Sequence, residues 1–143
     1  MIILLLSITS SSLPALAQES GLRLGTIDFP TSGTPQAQEE FIVGVLALHS
    51  FWYDEARDHF IRASEIDPEF GMAYWGEALS YNHPLQRFQV WDLPKDALER
   101  LGPDRAARLA KAPSEREKGF VGAADTLFFG EGEENDRRVA YAD

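Results

Sequence analysis

Three histidines, 23 acidic residues and no cysteine set the chemistry open to this chain of 143 residues. Without cysteine there are no disulfides, no Cys-ligated zinc, no iron–sulfur cluster, no covalent c-type haem and no thiol nucleophile. His49 and His83, with Glu77 or Asp54, offer imidazole nitrogen and carboxylate oxygen, which suit zinc and its neighbours. No H-E-x-x-H or His-x-His spacing accompanies them, so no metal is expected. Serines and histidines occur without G-x-S-x-G, and Gly71 and Gly76 form no phosphate loop. The carboxylate pairs Glu39/Glu40 and Glu115/Glu117 fall at helix starts, where the macrodipole favours negative charge without any catalysis. The run Glu131, Glu133, Glu134 and Asp136 lacks the ligand alternation of a calcium loop and reads as a solvated acidic turn. The residues thus predict neither catalysis nor a cofactor. The alternative is a metal-dependent enzyme or ligand-binding protein that uses His49 and His83.

Charge narrows the partners. Thirteen Lys and Arg against 23 Asp and Glu leave a formal net charge of -10. Such a chain is repelled by phosphate backbones, and no nucleic acid is expected as a partner. The basic residues of 100–118 lie among acids and form no stripe. With 44% apolar residues the chain can build one small core.

Residues 1–17 are uncharged in their side chains and begin Ile-Ile-Leu-Leu-Leu after Met1. Ala15-Leu16-Ala17 has the small-x-small form of a signal-peptidase site, so 1–17 reads as a secretory signal peptide. The expected location is the periplasm or cell envelope of a bacterium, with membrane contact only through an uncleaved signal segment. Residues 18–36 are turn-rich and read as an extended arm, in which Leu22, Leu24, Ile27 and Phe29 pack on the first helix.

Helices then follow one another. Thr34-Pro35 supplies an N-cap hydroxyl and a proline at N1. From Ala37 to about Ser50, Phe41, Ile42, Val45, Leu46 and Leu48 recur at helical spacing. Asp54 is placed to cap a second helix with the stripe Ala56, Phe60, Ala63, Ile66, ended by Asp67-Pro68. A third runs from about Glu69 to Asn82. After an irregular stretch at 85–95 come short helices over 94–101 and 104–111. Ser114 with Glu117 is a capping box that opens a helix to about Phe129. Asn135 or Asp136 caps a last helix that carries no stop signal at Asp143, as in the N-terminal part of a longer protein. No segment alternates with period 2, so the fold class is all-α.

A shift of 34 residues places Phe41 on Trp75, Gly44 on Ala78, Val45 on Leu79 and His49 on His83. Ala56, Phe60, Ala63 and Pro68 are spaced as the small, aromatic, small and proline positions of a tetratricopeptide second helix. Tyr74, Ala78 and Tyr81 match the first helix of a following repeat, and Phe120, Ala124 and Leu127 a third. On these residues the chain resembles the tetratricopeptide family, closely over 37–84 and loosely over 94–143. The stretch from Tyr74 to Pro84 is similar to one in exported bacterial members, for which no enzymatic activity is expected. The resemblance implies a helical-hairpin solenoid, a right-handed superhelix, with repeats at 37–70, 71–112 (with an insertion) and, in part, 114–143.

It also implies a concave face lined by the first helix of each repeat and used to bind a protein or peptide. Phe41, Val45, Leu48 and His49 would then neighbour Trp75, Leu79, Asn82 and His83. These are the candidate peptide-binding residues: aromatic anchors, an amide for a peptide backbone and two imidazoles. The same pattern admits a packing reading, with Phe41 and Trp75 in the inter-repeat core, Asn82 at a helix end and His83 in a loop.

Overall fold

The computed structural model describes residues 25–83 and 90–142. The expected signal segment 1–17, Leu22 and Leu24 of the arm and part of the irregular stretch near Pro84 lie outside the described residues. Within them all regular structure is helical: α1 (Pro35–His49), α2 (Tyr53–Ile66), α3 (Gly71–Ser80), α4 (Asp92–Leu101), α5 (Arg105–Ala110), α6 (Glu115–Phe129) and α7 (Glu134–Ala142).

Local chemistry explains most boundaries. Pro35 opens α1 at N1, where no amide hydrogen is needed. The Thr34 hydroxyl makes no cap bond; instead the Thr34 amide donates to Asp67 Oδ2 at 2.9 Å, tying the start of α1 to the end of α2. Asp67, before Pro68, closes α2 as expected. Asp54 lies inside the first turn of α2 and pairs with Arg57 at 2.6 Å rather than capping. Asp104 caps α5, accepting from the Ala107 amide at 2.8 Å. The capping box of Ser114 and Glu117 opens α6. Helix α3 is shorter than the expected 69–82, α4 opens earlier, at Asp92, and Asn135 and Asp136 fall inside α7 instead of capping it.

The helices form two layers. Helix α3 packs against both α1 and α6, giving one layer in the order α1, α3, α6. On this row α2 packs against α1 and α3, α4 against α3 and α6, and α7 against α6. Antiparallel helices approach this closely only where the contact row is small. Ala56, Ala63, Ala73, Ala78 and Ala124 are all buried in that row. The ring of Phe60 fills the seam: a Cβ on Gly44 would meet it at 2.8 Å, and one on Gly76 would overlap it further. Phe41 meets Phe60 in a tilted contact at 5.7 Å and Phe70 edge-on at 5.3 Å, so one aromatic cluster joins α1, α2 and the entry to α3.

Candidate functional site: a helical strip and the arm across it

The segment 29–34 has no regular structure of its own and lies across the row formed by α1, α3 and α6. Phe29 is buried against Phe41 of α1 at 5.5 Å and Phe120 of α6 at 5.6 Å. Trp75 of α3 touches both of those rings, at 6.5 and 5.1 Å. The Arg116 guanidinium stands 4.2 Å from the Phe29 ring centre, a cation–π contact.

Side chains of the helices hold the backbone of this segment. Gln38 Nε2 donates to the Phe29 carbonyl at 2.8 Å, and its Oε1 accepts from the Thr31 hydroxyl. Arg116 donates to the Pro30 carbonyl at 3.1 Å. The Ser32 amide donates to Glu117 Oε1 at 2.7 Å, while the Ser114 amide and hydroxyl donate to Oε2 at 3.3 and 2.8 Å. Burial disfavours the charged form of Glu117, but these hydrogen bonds outweigh it and hold its pKa below the usual carboxylate value. Glu117 is therefore not a solvated helix-start acid. It is buried and clasps the arm, whereas Glu115 stays exposed and pairs with Lys118.

The structure divides the expected binding residues along the helix axes. Phe41, Val45 and Trp75 are buried, Trp75 to 7% exposure, and belong to the core. As binding anchors open to solvent these three are corrected: Phe29 lies on the Phe41 ring, Phe41 and Phe120 lie against that of Trp75, and Val45 is 1% exposed. Leu48 and Leu79, one or two turns on, are half-buried. His49 is exposed, its Nδ1 2.9 Å from the Val45 carbonyl. The strip thus runs from a roofed end at Phe41 and Trp75 to a more open end at Leu48, His49, Asn82 and His83.

Two polar atoms on the strip have no hydrogen-bond partner although they are buried: Trp75 Nε1 and Asn82 Oδ1. Buried polar groups are nearly always paired, so each such atom calls for an explanation. Trp75 lies in α3 and Asn82 just past its end, where the Asn82 amide donates to the Leu79 carbonyl at 3.1 Å.

The open end carries residues that periodicity could not reveal. Helix α1 closes with a Schellman arrangement, in which the Trp52 amide donates to the Ala47 carbonyl and the Phe51 amide to that of Leu48. The left-handed position after such a helix usually holds glycine; here it holds Phe51, with φ of 61°. Phe51 is 56% exposed and Trp52 42%. Tyr53 is buried, and His83 stacks on its ring at 4.0 Å. Phe51, Trp52, Tyr53, Asp54, Glu55 and His83 line a cleft of about 340 Å³. The sequence signal was the aromatic pair Phe51-Trp52 in a turn too short to bury it.

Several buried charges also escaped the sequence reading. Glu77, buried between α3 and α4, is held by Arg100 at 2.5 Å and accepts from the Tyr81 hydroxyl at 3.3 Å. Asp125 of α6 binds Arg108 at 2.5 Å and Arg105 at 2.9 Å, and Arg108 also donates to the Gly102 carbonyl at 2.8 Å. Glu40 lies 2.7 Å from His59 Nδ1 and 3.0 Å from Arg62 Nε. Burial of Glu40 opposes ionisation, yet those two partners prevail and its pKa is lowered. These pairs fasten helix to helix. Among the described residues no group of three His, Asp or Glu side chains is placed to hold a metal ion. Nor is any helix among them long and apolar enough to cross a membrane.

No family model matches the chain, and neither the curated proteins nor the solved structures compared with it give a match.

Proposed function

We propose that this chain is an exported tetratricopeptide-like module that binds an extended peptide or protein segment along the strip of α1, α3 and α6, with no catalysis of its own. In this reading α1/α2 and α3/α4 are successive helical hairpins of a solenoid, and α6/α7 begins a third. The small residues Gly44, Ala56, Ala63 and Gly76 around Phe60 support it, because they meet the packing demand of stacked hairpins. Export rests on the sequence of residues 1–17.

One observation carries the binding proposal. The strip has a buried donor at Trp75 Nε1 and a buried acceptor at Asn82 Oδ1 just past the end of α3, both unpaired. An extended backbone presents carbonyls and amides and so has a partner for each. The aromatic turn at Phe51 and Trp52 stands at the same end as Asn82 and offers apolar area to the rest of a ligand.

Selection of peptides from a random library on the purified chain tests this. Enriched sequences should bind in extended form, and Asn82→Ala should weaken them at least tenfold while leaving the helical circular dichroism unchanged. Absence of any enriched sequence, or unchanged binding by Asn82→Ala, would contradict it.

A further inference from the structure

The segment 29–34 meets the description of a ligand for this strip. It has no regular structure and bends at Ser32 and Gly33, it has an aromatic anchor in a ring cluster, and side chains of α1 and α6 hold its backbone through Gln38, Arg116 and Glu117. Building on the peptide-binding reading above, we infer that the arm is a built-in occupant of the strip, and that the partner is an extended segment carrying an aromatic residue followed by proline, which binds by displacing it.

Three features support displacement rather than permanent packing. First, apart from Phe29 the segment is only partly buried or exposed, so one ring supplies most of its apolar contact. Second, its remaining hold is a set of polar contacts, of which those of Arg116 and Thr34 are exposed to competing water. Third, the arm leaves Trp75 Nε1 unsatisfied. A partner that brings Phe-Pro chemistry and a carbonyl to Trp75 makes every contact of the arm and one more. Without that advantage a free ligand competes badly, because a tethered segment acts at millimolar effective concentration.

Loosening the arm from its own side leaves every groove residue intact. Phe29→Ala removes the anchor. Ser32→Pro removes the amide that Glu117 accepts. The probe is a fluorescent synthetic peptide with the sequence of residues 25–34, titrated against the full chain and both variants. Wild type should bind it weakly, and each folded variant about tenfold more tightly. The same peptide with Phe29→Ala should not bind. Equal affinity in all three proteins, or no binding to a variant that keeps its helicity, overturns the inference. Loss of helicity in both variants also overturns it, since the arm would then be part of the fold. The library peptides separate the two proposals: if they bind wild type and variants alike, strip recognition stands and only self-occupation fails.

Discussion

The ring of Phe60 occupies the space that a side chain on Gly76 would need, and it presses on Gly44 from the other side. A helix-interior glycine usually costs stability, about 1 kcal/mol against alanine. Here the seam reverses the sign. Gly76→Ala should destabilise the chain by about 1–3 kcal/mol, as an overpacked core does. Gly119 on α6 is the control: nothing lies within 4 Å of its would-be Cβ, and Gly119→Ala should stabilise by up to about 1 kcal/mol. Denaturant midpoints of the two variants check the opposite signs.

Removing Asp125 should cost far more than removing its exposed partner. Asp125→Ala strands the Arg108 guanidinium, which is 4% exposed, and an uncompensated buried charge costs about 3–5 kcal/mol. Arg105→Ala, at a half-exposed site, should cost under about 1 kcal/mol. Equal losses in thermal unfolding would show that the pair is not held as described.

That contrast also marks what the sequence could convey. The capping box at Ser114, the stop at Asp67-Pro68 and the small row around Phe60 depend on near neighbours or on a repeat, and all were legible. The partners of Glu77 and Asp125 lie 23 and 17 residues away, and no local pattern announces them. The caps expected at Thr34 and Asp54 fail separately: the Thr34 hydroxyl makes no cap bond, and α2 begins at Tyr53, which puts Asp54 inside its first turn, paired with Arg57. On the strip, spacing grouped the residues by face but could not show their depth. Phe41 is covered by Phe29, and Trp75 by Phe41 and Phe120, contacts between segments that periodicity does not couple.

Acid should loosen the arm. The pKa of Glu117 lies below its ordinary value of 4.5 in the folded chain, as does that of Glu40. Their contribution to stability is therefore complete above the unfolded value and lost as pH falls through the folded one. Stability should decline below about pH 4.5, with a shallower decline in Glu117→Gln. Urea titrations at a series of pH values measure both slopes; identical slopes would remove Glu117 from the account.

Phe51 should be a site where stability and binding oppose each other. A non-glycine residue in the left-handed region costs about 1–2 kcal/mol, so Phe51→Gly should raise the unfolding midpoint. If the aromatic turn contacts the ligand, the same variant should bind selected peptides less tightly. A variant that gains stability and keeps full affinity would assign Phe51 no part in recognition.

Trp75 contacts Phe41 and Phe120, so Trp75→Ala should destabilise by about 3–5 kcal/mol, and Trp75→Phe is the informative change. It keeps a six-membered ring in the cluster and removes Nε1–H together with the rest of the pyrrole ring. The indole N–H resonance of Trp75, assigned by its disappearance in Trp75→Phe, tests recognition by the strip most directly. On titration with a selected peptide it should move downfield as its hydrogen bond forms, and the Ser32 amide should lose protection from exchange. A bound peptide that leaves the Trp75 resonance where it was would contradict the account.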